Sequence, residues 1–315
     1  MVHHRFNNDT KGFEAFKVWV FLQAQKLLPN ACPSCIFFGI EHTGVYTLPL
    51  CLFLTEQELA YALYSGLEMG YSMGIRRGKN DKLDSKKIAR YLFLHQFELV
   101  VAPQPSDTLM TIKNLLSYQN RLKRYRHGLK VSAKELEAFA CDIHHKHVTT
   151  HSKELVDLME KKIKAVKEDI ISLIQADEDL LKLYELVTSV KGIGFEIGTH
   201  LIVFTNRFTA FKKVRPFACY IGIAPFDYLS GSSVRKATAV SKKGHKRIKA
   251  LLSNGVQSAI LNDKEINAYF ERKSKGLNKK QYGKIYNAIK FKLLARVFAV
   301  VKRGTPYVPL NQYKA

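Results

Sequence analysis

Residues 35–46 read Cys35-Ile36-Phe37-Phe38-Gly39-Ile40-Glu41-His42-Thr43-Gly44-Val45-Tyr46. Cys35 to Ile40 is a short apolar, aromatic-rich run, the pattern of a buried strand. It ends on a carboxylate, Glu41, followed by a glycine-containing turn. In α/β folds, sites gather at the C-terminal ends of strands. A carboxylate beside apolar residues there is costly unless it is paired or ligates a metal.

Working outward, Phe13 to Leu28 carries Phe13, Phe16, Val18, Trp19, Leu22 and Leu27 at near-helical spacing. Beyond Glu41 the pattern predicts a helix through Leu50 and a strand over Leu59–Tyr64. A helix over Asp81–Leu94 follows, with Ile88, Ala89, Leu92 and Phe93 on one side, and then a strand-like run over Phe97–Ala102. Strands alternating with helices of this length imply an α/β domain, placed at residues 1–104.

After Pro105 the period changes. Leu115, Tyr118, Leu122, Tyr125 and Leu129 recur at spacings of three and four, as do Met159, Ile163, Val166, Ile170 and Leu173. Two heptad-like helices separated by the polar stretch His144–Ser152 predict an antiparallel or dimerising coiled coil over 105–185. Residues 186–315 form a third, mainly helical region.

The whole chain of 315 residues carries 50 Lys and Arg against 27 Asp and Glu, a formal charge of +23. With 46% hydrophobic residues it is neither disordered nor low-complexity. It shows no apolar run long enough to span a bilayer and no secretory signal, so a cytoplasmic protein with no membrane partner is expected. The charge is uneven. Leu186 to Ala315 holds 25 Lys and Arg against five acids, which is +20 of the +23. A surface so basic implies a polyanionic partner, nucleic acid first. Arg121, Lys123, Arg124 and Arg126 add a basic face on the first coiled-coil helix, and Arg235, Lys242, Lys243, Lys246 and Arg247 extend the pattern in the C-terminal third.

Five scattered cysteines argue for a reducing compartment rather than a disulfide framework. Cys32-Pro33-Ser34-Cys35 has zinc-ligand spacing but no second pair at a suitable distance, so a plain pair before a strand is the favoured reading. His144, His145 and His147 read as solvated loop histidines.

Three motifs carry chemistry. Asp81 and Asp84 lie at i and i+3, on one helical face, where a capping role competes with metal binding. With Glu41 they would supply oxygen donors suited to Mg²⁺, and two such ions can clamp an in-line phosphoryl transfer. Lys191-Gly192-Ile193-Gly194 between two helices has the form of a helix-hairpin-helix element. Its glycines would let backbone N–H groups approach a phosphate. Finally, Ser230-Gly231-Ser232-Ser233 offers three hydroxyls in a loop beside Arg235, and composition alone does not choose among them.

Six segments occur in a telling order: Ile40 to Tyr46, Lys79-x-Asp81-x-x-Asp84, Val190 to Gly194, Tyr220-Ile221-Gly222-Ile223-Ala224-Pro225, Ser230-Gly231 and Ser241-Lys242-x-Gly244-His245. The chain resembles the DEDD transposases of the IS-one-ten family, insertion-sequence recombinases guided by a bridge RNA and related to the pilin-gene invertase. The resemblance covers nearly the whole chain. It implies a RuvC-like domain of RNase H fold, a coiled-coil insert and a C-terminal transposase domain. It assigns Glu41, Asp81 and Asp84 to an Mg²⁺-binding tetrad and Ser230 to a covalent 5′-phosphoserine link with DNA. It further implies donor and target duplexes, a non-coding guide RNA, and a homo-oligomer in which one subunit's RuvC-like domain completes another's transposase domain. In the family, the first tetrad Asp lies on a strand before the segment matching Phe6–Gly12. The chain starts close to that segment, so an N-terminal truncation lacking that Asp is expected.

The leading expectation is therefore an RNA-guided DNA recombinase with a serine nucleophile. A catalytically impaired nucleic-acid-binding remnant is the main alternative. A RuvC-like structure-specific nuclease, which needs the acids but not Ser230, is the other.

Overall fold

The computed structural model describes residues 2–64, 66, 81–98, 100–102, 106–139, 142–230, 234–241 and 244–309, with backbone alone at 81, 142–143, 227–230, 234–238 and 280. The chain divides into two compact units, Met1–Ser106 and Asp107–Ala315. The described residues are mostly helical, with four short strands.

The first unit opens with helix α1 (Thr10–Leu27), whose N-cap Asp9 accepts a hydrogen bond from the Gly12 amide at 2.7 Å. Such a cap satisfies an amide that has no partner within its own helix. Strand β1 (Phe38–Glu41), helix α2 (Leu48–Glu56) and strand β2 (Tyr61–Tyr64) follow. β1 and β2 pair in parallel, Phe38 opposite Tyr61 and Glu41 opposite Tyr64, so α2 is the crossover of a βαβ unit. Phe13 of α1 packs on Phe53 of α2, and Phe16 on Phe38, which makes a small aromatic core.

Helix α3 spans Asp81–Leu94 as its spacing predicts, but Phe93 is exposed. The described residues of Phe97–Ala102 do not form a strand. Gln96–Glu98 forms a single 3₁₀ turn, and Phe97 is 95% exposed. Among the described residues of this run, the Ala102 amide alone reaches β2, bonding the Tyr61 carbonyl at 2.7 Å. The apolar run had the composition of a strand without the ladder to hold it.

The second unit begins with helices α4 (Asp107–Phe139) and α5 (Asp142–Gln175), 33 and 34 residues long. They are antiparallel. Gln119 donates to the Ile163 carbonyl, Lys130 meets Glu160 and Lys153 meets Glu137, partners that descend along α5 as they ascend α4. Two sequence expectations need correction. The stretch 144–152 belongs to α5 rather than to a connector, and His145 is buried. The buried stripe of α4 is Leu109, Ile112, Leu116 and Gln119, while Tyr118 and Tyr125 are exposed. Tyrosine keeps its hydroxyl wet readily, so the aliphatic residues take the seam.

Helices α6 (Glu178–Thr188), α7 (Phe195–Phe204) and α8 (Val214–Tyr220) lead to an antiparallel hairpin of β3 (Pro225–Ser230) and β4 (Val234–Val240). Helices α9 (Lys246–Asn262), α10 (Lys264–Ser274) and α11 (Gly283–Arg303) close the unit. One continuous core joins Ile112 and Ile170 of the long helices to Leu201, Phe217, Leu252 and Leu293. No helix among the described residues is long and apolar enough to cross a membrane.

Candidate active site and nucleic-acid interface

Glu41 is the last residue of β1 and is half-buried. The Thr47 hydroxyl bonds its backbone carbonyl at 3.2 Å and also receives the Thr43 amide at 2.8 Å, which fixes the turn after the strand. Its carboxylate has no hydrogen bond or ion pair among the described residues. One of its oxygens, Oε1, lies in the space that a Cβ on Gly66 would fill. An unpartnered, half-buried carboxylate at a strand end fits a hard, oxygen-seeking cation.

α3 packs directly on β1. Leu92 rests on Gly39, where any side chain would displace it. Leu92, Ile88 and Asp84 recur every four residues and so share one stripe of the helix. Asp84 is half-buried and pairs with Lys87 at 3.2 Å. Asp81 begins the same helix, and its side chain lies outside the described residues. Among the described residues no three His, Cys, Asp or Glu form a group that could hold a metal. The donor chemistry suits Mg²⁺, while the described donors reduce to Glu41 and Asp84.

Cys32 and Cys35 place their sulfurs 2.9 Å apart, and hydrogen bonds from Cys35 and Ser34 lower the Cys32 thiol to about 7. No third ligand joins them among the described residues, so zinc gains no support there.

In the second unit, two of the quoted sequence segments interlock. Gly222 has φ +71°, and a Cβ on Gly244 would strike the Gly222 backbone. The His245 amide bonds the Tyr220 carbonyl at 3.3 Å, and Lys249 bonds the Gly222 carbonyl at 2.9 Å. The β3–β4 hairpin grows from this crossing, and Ser230 ends β3 opposite Val234. The backbone of Ser230 is thus a strand terminus rather than a flexible loop. Residues 231–233 and Lys242 and Lys243 lie outside the described residues, as do the side chains of Ser230 and Arg235.

The Gly192 turn joins α6 to α7. Gly192 has φ +91°, and a Cβ there would strike the Gly255 carbonyl and Ala259 of α9. Its left-handed backbone therefore serves helix packing. Gly194 is different. It caps α7 with open space around it, beside exposed Lys191.

Basic residues from two distant helices converge beside this turn. Lys123 of α4 and Arg247 of α9 both pair with Glu196 in the first turn of α7, Arg247 at 3.7 Å. Arg126 pairs with Glu160 at 3.5 Å. The Nε atoms of Arg126 and Arg247 are buried without a hydrogen-bond partner among the described residues. Arg121 lies over Tyr118, while Arg124 and Lys246 are exposed. Sequence reading missed Glu196 and its neighbour His200, whose ring bonds the Glu196 carbonyl at 2.7 Å and stacks on Phe204. Their i, i+4 spacing was the available signal. Burial lowers His200 to about 4 and also lowers His245, which touches Phe204.

The sequence profile of the Transposase IS116/IS110/IS902 family matches residues 184–271. A second transposase profile, for the DEDD domain of the same family, matches residues 1–136. Among curated proteins, the pilin gene-inverting protein of Moraxella bovis is 26% identical over 308 residues, covering 96% of this chain and 89% of that protein. Its counterpart from Moraxella lacunata matches to the same extent. The DEDD profile covers the unit with Glu41 and continues through most of α4, and the other profile lies within the unit that contains Ser230. The chain belongs to the IS110 family of DEDD transposases.

Proposed function

We propose that the chain is an RNA-guided DNA recombinase with Ser230 as its nucleophile and an Mg²⁺ site built from Glu41, Asp81 and Asp84. The observation that supports this reading is the carboxylate of Glu41, half-buried at the end of β1 with no partner among the described residues, while α3, the helix that carries Asp84, packs on the same strand. The metal, when bound, neutralises charge on the phosphate oxygens. The strand arrangement β1–α2–β2 with α3 on its face is in keeping with a RuvC-like RNase H fold.

In the first step the Ser230 Oγ attacks a DNA phosphorus. The Oγ–P bond forms, the P–O3′ bond breaks, and the 3′-oxygen leaves as a hydroxyl after taking a proton. The serine proton passes to a carboxylate or water at the site. Attack by a 3′-hydroxyl from another strand reverses the step and joins new partners. Donor and target duplexes and the guide RNA lie against the basic C-terminal region, with exposed Arg121 and Arg124 of α4 adding to the cationic surface. A homo-oligomer combines acids and serine from different subunits.

The test is covalent capture. Wild-type protein with its guide RNA and matching DNA forms a protease-sensitive adduct, and Ser230→Ala forms none. Cleavage by Ser230→Ala without an adduct would instead indicate a nuclease.

A further inference from the structure

A cavity of about 1460 Å³ opens in the second unit, between α8, the base of the β3–β4 hairpin and one face of α11. Its walls are mainly apolar. Its charged lining is entirely cationic, Arg215, Lys284 and Lys292, with no acid among the lining residues. Arg215 and Lys284 make no ion pair among the described residues. Lys292 sits 4.7 Å from the centre of the Tyr269 ring, which Arg272 also covers at 5.8 Å, so the basic rim continues onto α10. Phe291, half-buried, lines the wall, and Gln281 and Asn287 supply amides.

The volume exceeds the roughly 300–1,000 Å³ of small-molecule pockets, which suits a stretch of polymer. Unbalanced cations call for a polyanion. An aromatic ring, Phe291, on the wall of a cation-lined cavity matches the way proteins hold single strands, because only an unpaired base offers its face for stacking. A duplex keeps those faces covered. Pro225, the first residue of β3, lines the cavity, and Ser230 ends the same strand. Six residues of strand span about 17 Å. One DNA strand can therefore lie in the cavity and reach the hairpin end.

We propose that this cavity holds an unpaired DNA strand flanking the phosphate that Ser230 attacks. The location relative to the chemistry rests on the recombinase reading. The binding itself rests on the cavity.

Photocrosslinking tests it with the full-length protein and a ten-nucleotide single strand carrying 5-iodouracil. The crosslink should map to the peptide containing Phe291. Arg215→Ala, Lys284→Ala and Lys292→Ala together should lower its yield about tenfold. Phe291→Leu should lower it and Phe291→Tyr, which keeps the ring face, should retain it, with thermal melting confirming that each variant folds. No crosslink in the cavity would overturn the proposal. So would equal capture of blunt duplex, capture of RNA but not DNA, or crosslinking that appears only when dilution removes a second copy. Ser230→Ala separates the two readings. Loss of the covalent adduct with the cavity crosslink retained wherever it forms keeps the binding site whatever becomes of the nucleophile.

Discussion

The Glu41 carboxylate occupies the space where a methyl group on Gly66 would stand. Gly66→Ala must therefore push the carboxylate aside. The displaced atom is the end of a flexible side chain, so stability should change little. A displaced ligand is costly to chemistry, since a shift of about 1 Å can cost about 100-fold in rate. Gly66→Ala should keep its melting temperature within a few degrees and lose most Mg²⁺-dependent DNA joining. Unchanged joining would separate Glu41 from the chemistry.

Glu41→Gln and Asp84→Asn should each weaken metal binding. Outer-shell changes cost about 10–100-fold, so loss of a direct ligand should cost at least that much. Mn²⁺ titration followed by electron paramagnetic resonance reads this without any reaction. Binding of RNA should remain near wild type. The Asp84–Lys87 pair is about one-third exposed on each side and contributes little to stability. Wild-type Mn²⁺ affinity in both variants would remove these acids from the metal site.

The turn between α6 and α7 separates two glycines by role. Gly192→Ala faces both a left-handed backbone and a collision with α9, so it should cost about 1–3 kcal/mol or more. Gly194→Ala meets nothing, and its stability should stay nearly unchanged. If Gly194→Ala weakens nucleic-acid binding, the open end of α7 contacts phosphate. Equal melting temperatures for the two variants would contradict the packing at Gly192.

His200 makes stability depend on pH. Its folded value, about 4, lies below its ordinary value of 6.5, so the unfolded chain binds more protons between the two. Its contribution is present above pH 6.5 and is lost as pH falls toward 4. At about 1.4 kcal/mol per pH unit of difference, the loss approaches about 3 kcal/mol. His245, also lowered by burial, adds a slope of the same sign. His200→Gln should flatten, without abolishing, the fall in melting temperature between pH 6.5 and 4.5. An unaltered slope would mean that His200 is not buried as described.

Much of this was legible in particular residues. Phe13, Phe16 and Phe38 announced α1 and β1 because aromatic residues at regular spacing have to be buried. Glu41 stood out because a carboxylate closing an apolar run needs a reason. Asp81 and Leu94 bounded α3 as read. Phe97 misled because composition reports a tendency to pair, and pairing needs a neighbouring strand. Tyr118 and Tyr125 misled because periodicity gives a stripe but not which neighbouring residue wins the seam. The convergence of Lys123 and Arg247 on Glu196 spans 124 positions of chain and was invisible to any local pattern. The cavity beside α11 was equally hidden, since Arg215 and Lys292 meet there only through the fold.

Covalent capture tests the central claim most directly. Protein, guide RNA, Mg²⁺ and matching DNA labelled on the 3′ side of the break, the fragment that keeps the 5′-phosphate, are quenched in detergent and resolved on a denaturing gel. The account predicts a slow, protease-sensitive band whose label maps to Ser230 by mass spectrometry, absent in Ser230→Ala and absent when Mg²⁺ is chelated. A labelled band that persists in Ser230→Ala, or DNA that binds wild-type protein without ever forming the band, would contradict it.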